Sequence, residues 1–169
     1  MPRTPTAAGP TAYRSHDHDH CVADPLARAE AVCAAQGARL TPLRRRVLEI
    51  VWASHRPMGA YAVLDALAVG GEGRTAPPTV YRALKFLLEH RLVHRIENLN
   101  AYIGCPDPAS RHGPLFLICR DCGNTAELQN GAIGAALAVD AERVGFSVDR
   151  LTVEASGQCS ACRAVEAMP

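Results

Sequence analysis

Cys119-Arg120-Asp121-Cys122 and Cys159-Ser160-Ala161-Cys162 are two C-x₂-C pairs separated by 36 residues. Each pair presents two thiolates from one knuckle-like turn, and four thiolates make the closed tetrahedral shell of a structural zinc ion. Gly123 follows the first pair and lets the chain turn back while backbone N–H groups face the sulfurs. Redox dithiols or buried core cysteines are the alternatives, yet two such pairs rarely arise as core filler. The stretch between the pairs exceeds ordinary zinc-ribbon spacing, so a small subdomain has to fold inside it.

A second group of potential ligands lies around the join of the two halves of the chain: His94, Cys105, His112 and Glu127. Two neutral imidazoles, one thiolate and one carboxylate balance the charge of Zn²⁺ and leave no open coordination position. Taken singly, a strand histidine is usually half-buried and a lone glutamate solvated. A zinc hydrolase would need a vacant or water-filled position and a general base. With Glu127 used as a ligand no base remains, and H-E-x-x-H is absent. A closed shell therefore favours a structural or sensing role over an enzyme. A thiol redox sensor is the other alternative, and it predicts release of its target on mild oxidation. The run His16-Asp17-His18-Asp19-His20-Cys21 could hold a further metal or be a solvated segment.

The elements that must position these groups are bounded by composition. At 169 residues the chain fits one large domain or two small ones, each with a modest core that a metal or a partner would help. No apolar run reaches the ~18 residues of a membrane span. Residues 1–15 lack a signal-peptide pattern, and seven cysteines at zinc-type spacing fit a reducing cytosol. Residues 39–95 carry ten Lys/Arg against four Asp/Glu, a net of +6; residues 96–169 carry five against nine, a net of −4. A basic half followed by an acidic half points to a polyanion-binding module joined to something else.

Residues 1–20 read as a flexible tail. Residues 25–36 read as a helix, with Leu26, Ala29, Val32 and Cys33 on one face and Gly37 ending it. Thr41-Pro42 starts a second helix bearing Val47, Leu48, Ile50 and Val51 on one side and Arg44-Arg45-Arg46 on the other. A third spans about 60–69. Pro77-Pro78-Thr79 opens a fourth, running to about His90, with Thr79, Tyr81, Arg82 and Lys85 in its first turns. Segments 92–97 and 101–104 then form a hairpin. Helices leading into such a hairpin make a winged helix-turn-helix, whose recognition helix enters the major groove. Beyond the loop 106–110, strands at 115–118 and 124–128, a helix over 130–144 with Ile133, Leu137 and Val144 facing inward, and a strand over 146–154 make a small α/β unit. Its exposed strand edges favour pairing across a two-fold axis.

From Cys21 onward the chain resembles the ferric uptake regulator superfamily, and in particular its zinc-responsive branch. The resemblance rests on Arg39-Leu40-Thr41-Pro42, Ala60-Tyr61, the stretch Pro77 to Glu89, Leu92-Val93-His94, Cys105, His18-Asp19-His20-Cys21 and both C-x₂-C pairs. Iron and peroxide branches carry a His-rich run before the first pair, where this chain has Arg111-His112-Gly113-Pro114. The resemblance implies an α+β chain: flexible tail 1–20, winged-helix DNA-binding domain 21–104, hinge 105–114 and dimerisation domain 115–169. It implies a cytoplasmic, homodimeric repressor of zinc-uptake genes that binds palindromic double-stranded operator DNA, with neither a small-molecule substrate nor a membrane partner. Two Zn²⁺ ions per protomer follow from it, one structural on Cys119, Cys122, Cys159 and Cys162, the other regulatory on His94, Cys105, His112 and Glu127. Tyr61 and Arg82 match DNA-contacting positions, and Thr79 and Tyr81 belong to the same recognition-helix motif.

Overall fold

Thr41 caps α2 (Pro42–Trp52): its side chain accepts a hydrogen bond from the Arg44 N–H, and Pro42 occupies the first helical turn, where no N–H is needed. The computed structural model describes residues 11–13, 18–70, 75–109, 113–129 and 131–166. These divide into two compact units, one within 17–111 and one combining the described parts of 1–16 and 112–169.

The first unit holds α1 (His18–Ala35), α2, α3 (Ala60–Val69), α4 (Pro77–Glu89), β1 (Val93–Ile96) and β2 (Ala101–Gly104). Its core is aliphatic and drawn from every helix: Leu26, Val47, Leu48, Val51, Val63, Leu67, Val80, Leu84 and Leu87. Cys33 is buried among them, a small core residue whose thiol burial pushes up. Gly37 ends α1's turn in the left-handed region that glycine adopts without strain. The helix begins well before Pro25, which lies inside it rather than in its first turn. Proline removes one main-chain donor there, and the buried face formed by Leu26, Ala29 and Cys33 follows it.

β1 and β2 pair antiparallel, from Val93 opposite Gly104 to Ile96 opposite Ala101. Met58 adds an isolated bridge to β2 by exchanging both main-chain hydrogen bonds with Tyr102 at 2.8 Å. Trp52, the last residue of α2, lies against Gly104. A Cβ at Gly104 would stand 2.1 Å from the indole, so only glycine fits.

The second unit is a three-stranded sheet in the order β4-β3-β5, with β3 (Pro114–Cys119), β4 (Thr125–Gln129) and β5 (Val153–Gly157), and with helices α5 (Gly131–Arg143) and α6 (Ser160–Glu166). β3 and β4 are antiparallel; β3 and β5 are parallel, Leu115 facing Val153 and Cys119 facing Gly157. The third strand therefore starts later than its alternating apolar residues indicate. Residues upstream of Val153 would run past the beginning of β3 and find no partner. Ile133, Leu137 and Val144, expected to face inward, are 42%, 40% and 79% exposed. That side of the helix is thus partly turned to solvent rather than into the core.

Where a flexible tail is expected, Thr11–Tyr13 forms a packed 3₁₀ turn on this unit. Ala12 is buried, Tyr13 Oη donates to the Leu117 carbonyl at 2.5 Å, and Asn124 Nδ2 donates to the Ala12 carbonyl at 2.9 Å. No helix among the described residues is long and apolar enough to cross a membrane.

Candidate metal centre and nucleic-acid interface

The β3–β5 register brings the two cysteine pairs together. Cys119 ends β3 opposite Gly157, two residues before Cys159, while Cys162 lies in the first turn of α6. Cys119 Sγ stands 3.8 Å from Cys162 Sγ, and Cys122 Sγ 3.9 Å from Cys159 Sγ. All four sulfurs lie within 4.8 Å of one another. A tetrahedral zinc with ordinary Zn–S bonds has an S···S edge of about 3.8 Å, whereas a disulfide would need about 2 Å. The donors fit zinc.

The turn between β3 and β4 prepares these sulfurs. Gly123 takes a positive φ, its N–H donates to the Cys119 carbonyl, and the Cys119 N–H donates to the Asn124 carbonyl. The Cys122 N–H faces the Cys119 sulfur, joined by those of Cys159 and Asp121, and holds that thiol down at about 6 despite its burial. The Cys159 sulfur beside it, together with burial, pushes the Cys162 thiol up. A cluster in which one thiol ionises readily and a neighbour keeps its proton is one where a cation displaces protons on binding. Asn124 and Tyr13 went unnoticed as neighbours of this cluster. The one signal was an aromatic residue inside a Pro/Thr/Ala-rich stretch.

In the other unit, Cys105 follows β2 and its N–H donates to the Leu92 carbonyl. That places Cys105 and His94 on one face of the hairpin as diagonal neighbours. Their ligand atoms lie within 4.8 Å, with the sulfur 2% exposed and the imidazole half-buried. Glu127, half-buried on β4, faces the fully buried Phe116 across the strand pair of its own unit. His112, like His16 and Asp17, lies outside the described residues.

The residues singled out for DNA contact are on α3 and α4. Tyr61 is 68% exposed near the start of α3; Tyr81 and Arg82 are exposed on α4, and Thr79 is half-buried in its first turn. Val80, Ala83, Leu84 and Leu87 pin the opposite face of α4 into the core. No acidic residue occupies its first turn and no side chain caps it, so the positive end of the helix and Arg82 present a surface suited to an anion. The Arg44-Arg45-Arg46 run is engaged elsewhere: Arg44 stacks on the Phe86 ring at 3.6 Å, Arg45 pairs with Glu30 and Glu49, and Arg46 pairs with Glu49. Arg82, by contrast, stands out from a helix already pinned by its apolar side.

The chain is similar to the zinc uptake regulation protein of Escherichia coli (strain K12), being 39% identical over 144 residues, which are 84% of this chain and 83% of that protein. Its fold is similar to that of a zinc uptake regulator complexed with zinc and DNA, with a TM-score of 0.80, 35% identity, and coverage of 90% of this chain and 99% of the other. It is also similar to holo XcZur, at a TM-score of 0.75 and 36% identity over 82% of this chain and 96% of that one. A family model, that of the ferric uptake regulator family, matches residues 35–156. With a winged-helix half, a cysteine-clasped α/β half and these relatives, the chain belongs to the ferric uptake regulator family, whose members are transcriptional regulators and not enzymes.

Proposed function

We propose that this chain is a cytoplasmic zinc-responsive repressor which, as a homodimer, binds palindromic operator DNA when a regulatory zinc site is filled, and so controls zinc-uptake genes. The observation that carries the reading is the pairing of buried Cys105 with half-buried His94, a second set of soft and borderline donors separate from the four cysteines. His112 and Glu127 complete the set in this proposal, and two zinc ions per protomer result. Cys119, Cys122, Cys159 and Cys162 hold the structural ion. Residues 21–104 are the DNA-binding domain, 105–114 the hinge and 115–169 the dimerisation domain.

When bound, the regulatory zinc supplies a cross-link between ligands from both sides of the hinge. Cys105 and His94 fasten one end to the wing, which continues from α4 through Leu92, so the link acts on the recognition helix. Each recognition helix of the dimer would then be held at a spacing that matches successive major grooves. Without the link, a binding-competent fraction of ~1% would weaken apparent affinity about a hundredfold. Tyr61, Thr79, Tyr81 and Arg82 make the DNA contacts. The homologue complexed with zinc and DNA supports this arrangement, and the exposed Ile133 and Leu137, one turn apart on α5, supply an apolar face for a second copy.

The test uses a labelled duplex selected from a random library by the zinc-loaded protein. Its fluorescence anisotropy is followed across buffered free zinc, iron and manganese with the structural zinc in place. Activation at far lower free zinc than iron or manganese is expected. Equal activation by iron would remove the zinc-sensor reading and leave a metal-dependent repressor of another branch.

A further inference from the structure

The turn Thr11–Tyr13 is separated from the cysteine cluster by about a hundred residues of sequence, yet it is tied to the same piece of main chain. Asn124 is the link. Its side-chain amide donates to the Ala12 carbonyl at 2.9 Å, and its own carbonyl accepts the Cys119 N–H at 2.9 Å. Tyr13 fastens the other end of the turn through the 2.5 Å hydrogen bond from its hydroxyl to Leu117, two residues before Cys119. Its ring forms one wall of a cleft of about 150 Å³ whose other walls include Cys119, Gly157 and Cys159. Ala12 is 7% exposed, so the turn is packed on the unit rather than laid on its surface. Three contacts on one short turn, all converging on the knuckle, hold the β3–β4 hairpin at the point where it presents Cys119.

We infer that the N-terminal turn is a clasp for the four-cysteine zinc site: Tyr13 and the Ala12–Asn124 hydrogen bond hold the first cysteine knuckle closed and screen Cys119 from solutes. Tyr13 is a positioning residue, since it touches the strand that carries a ligand and donates nothing to the metal. Local opening of the knuckle must break these hydrogen bonds before a chelator or an alkylating agent reaches the sulfur. Loss of one net hydrogen bond raises the open population by about two- to tenfold, and thiol reactivity follows that population when reclosing is fast. The inference rests on the structural-zinc assignment of the four cysteines.

The experiment compares the zinc-loaded full chain with Tyr13→Phe, Tyr13→Ala and a deletion of residues 1–13. Alkylation by N-ethylmaleimide is timed at each cysteine by peptide mass spectrometry, and zinc content is counted in parallel. Tyr13→Phe keeps the ring and loses the hydroxyl, so Cys119 and Cys122 should react about two- to tenfold faster, and faster still in the deletion. Cys33, buried in the other unit, should keep its slow rate, and a retained zinc count together with an unchanged circular dichroism spectrum reports that the altered unit remains folded. Zinc-loaded variants whose Cys119 reacts at the unmodified rate would overturn the clasp and leave the metal assignment standing. An unmodified chain lacking thiolate-bound zinc would overturn the assignment, and the clasp with it.

Discussion

Cys119 and Cys105 are both buried thiols, and their replacement by serine should fail in different ways. Cys119 belongs to the proposed structural site, where metal-binding energy would be folding energy for the second unit. Cys119→Ser should lose that zinc and unfold the unit, as read by zinc counting and size-exclusion chromatography. Cys105→Ser should remain folded and lose the zinc response of operator binding. A folded, operator-competent Cys119→Ser protein would contradict the structural role. Arg82 is exposed on a helix whose opposite face is fixed in the core, and an arginine there can pair bidentately with a guanine edge for about 1–3 kcal/mol. Arg82→Ala should shrink the ratio of operator to scrambled-DNA affinity at matched salt, by about tenfold or more. Arg44 stacks on Phe86, so Arg44→Ala should leave that ratio unchanged.

At the scale of elements, what could be read in advance depended on local punctuation. Thr41-Pro42, Gly37 and Pro77-Pro78 mark helix ends through main-chain chemistry that needs no distant partner, and the structure has its boundaries close to them. The cysteine pairs were legible for the same reason: their spacing fixes a local turn. β5 was misread because the alternation of Phe146, Val148, Leu151 and Val153 is local, whereas the start of a strand depends on where its partner begins. α6 was hidden because Cys159 to Cys162 read as a knuckle, and it is the start of a helix. The packed Thr11–Tyr13 turn depends on Asn124 and Leu117 and has no local signature. Among element contacts, the Trp52–Gly104 approach joins α2 to the wing most tightly. Gly104→Ala should displace the indole and destabilise the first unit by about 1–3 kcal/mol. Urea denaturation would measure this, and an unchanged midpoint would show that Trp52 moves aside freely.

At the scale of the whole molecule, α5 turns an apolar face toward water. Ile133 and Leu137, four residues apart on one side of the helix, are 42% and 40% exposed in a unit too small to have a deep core. In the proposed homodimer a second copy would cover this face with the same residues on both sides of a two-fold axis. Leu137→Glu should raise the dimer dissociation constant on the order of tenfold or more, as measured by sedimentation equilibrium. In the proposed function one dimer reads two half-sites, so the same substitution should weaken operator binding at low protein concentration while the four-cysteine zinc stays bound. An unshifted dissociation constant would place the interface elsewhere.

Trp52 is the only tryptophan in the sequence, and its indole rests on Gly104, one residue from Cys105. The chain thus carries a single tryptophan, which can be excited apart from its four tyrosines, beside one of its two candidate zinc positions, while the four cysteines belong to the other unit. Quantum yield responds to a neighbouring sulfur and to the rigidity of the main chain around the ring, and metal ligation by Cys105 alters both. Emission should therefore change on titration of the regulatory zinc and stay constant on titration of the structural one. Cys105→Ser should abolish the optical signal without an added dye. Excited-state lifetimes recorded against buffered free zinc would then give an occupancy curve for one site alone, in a protein expected to hold two ions of the same spectroscopically silent metal.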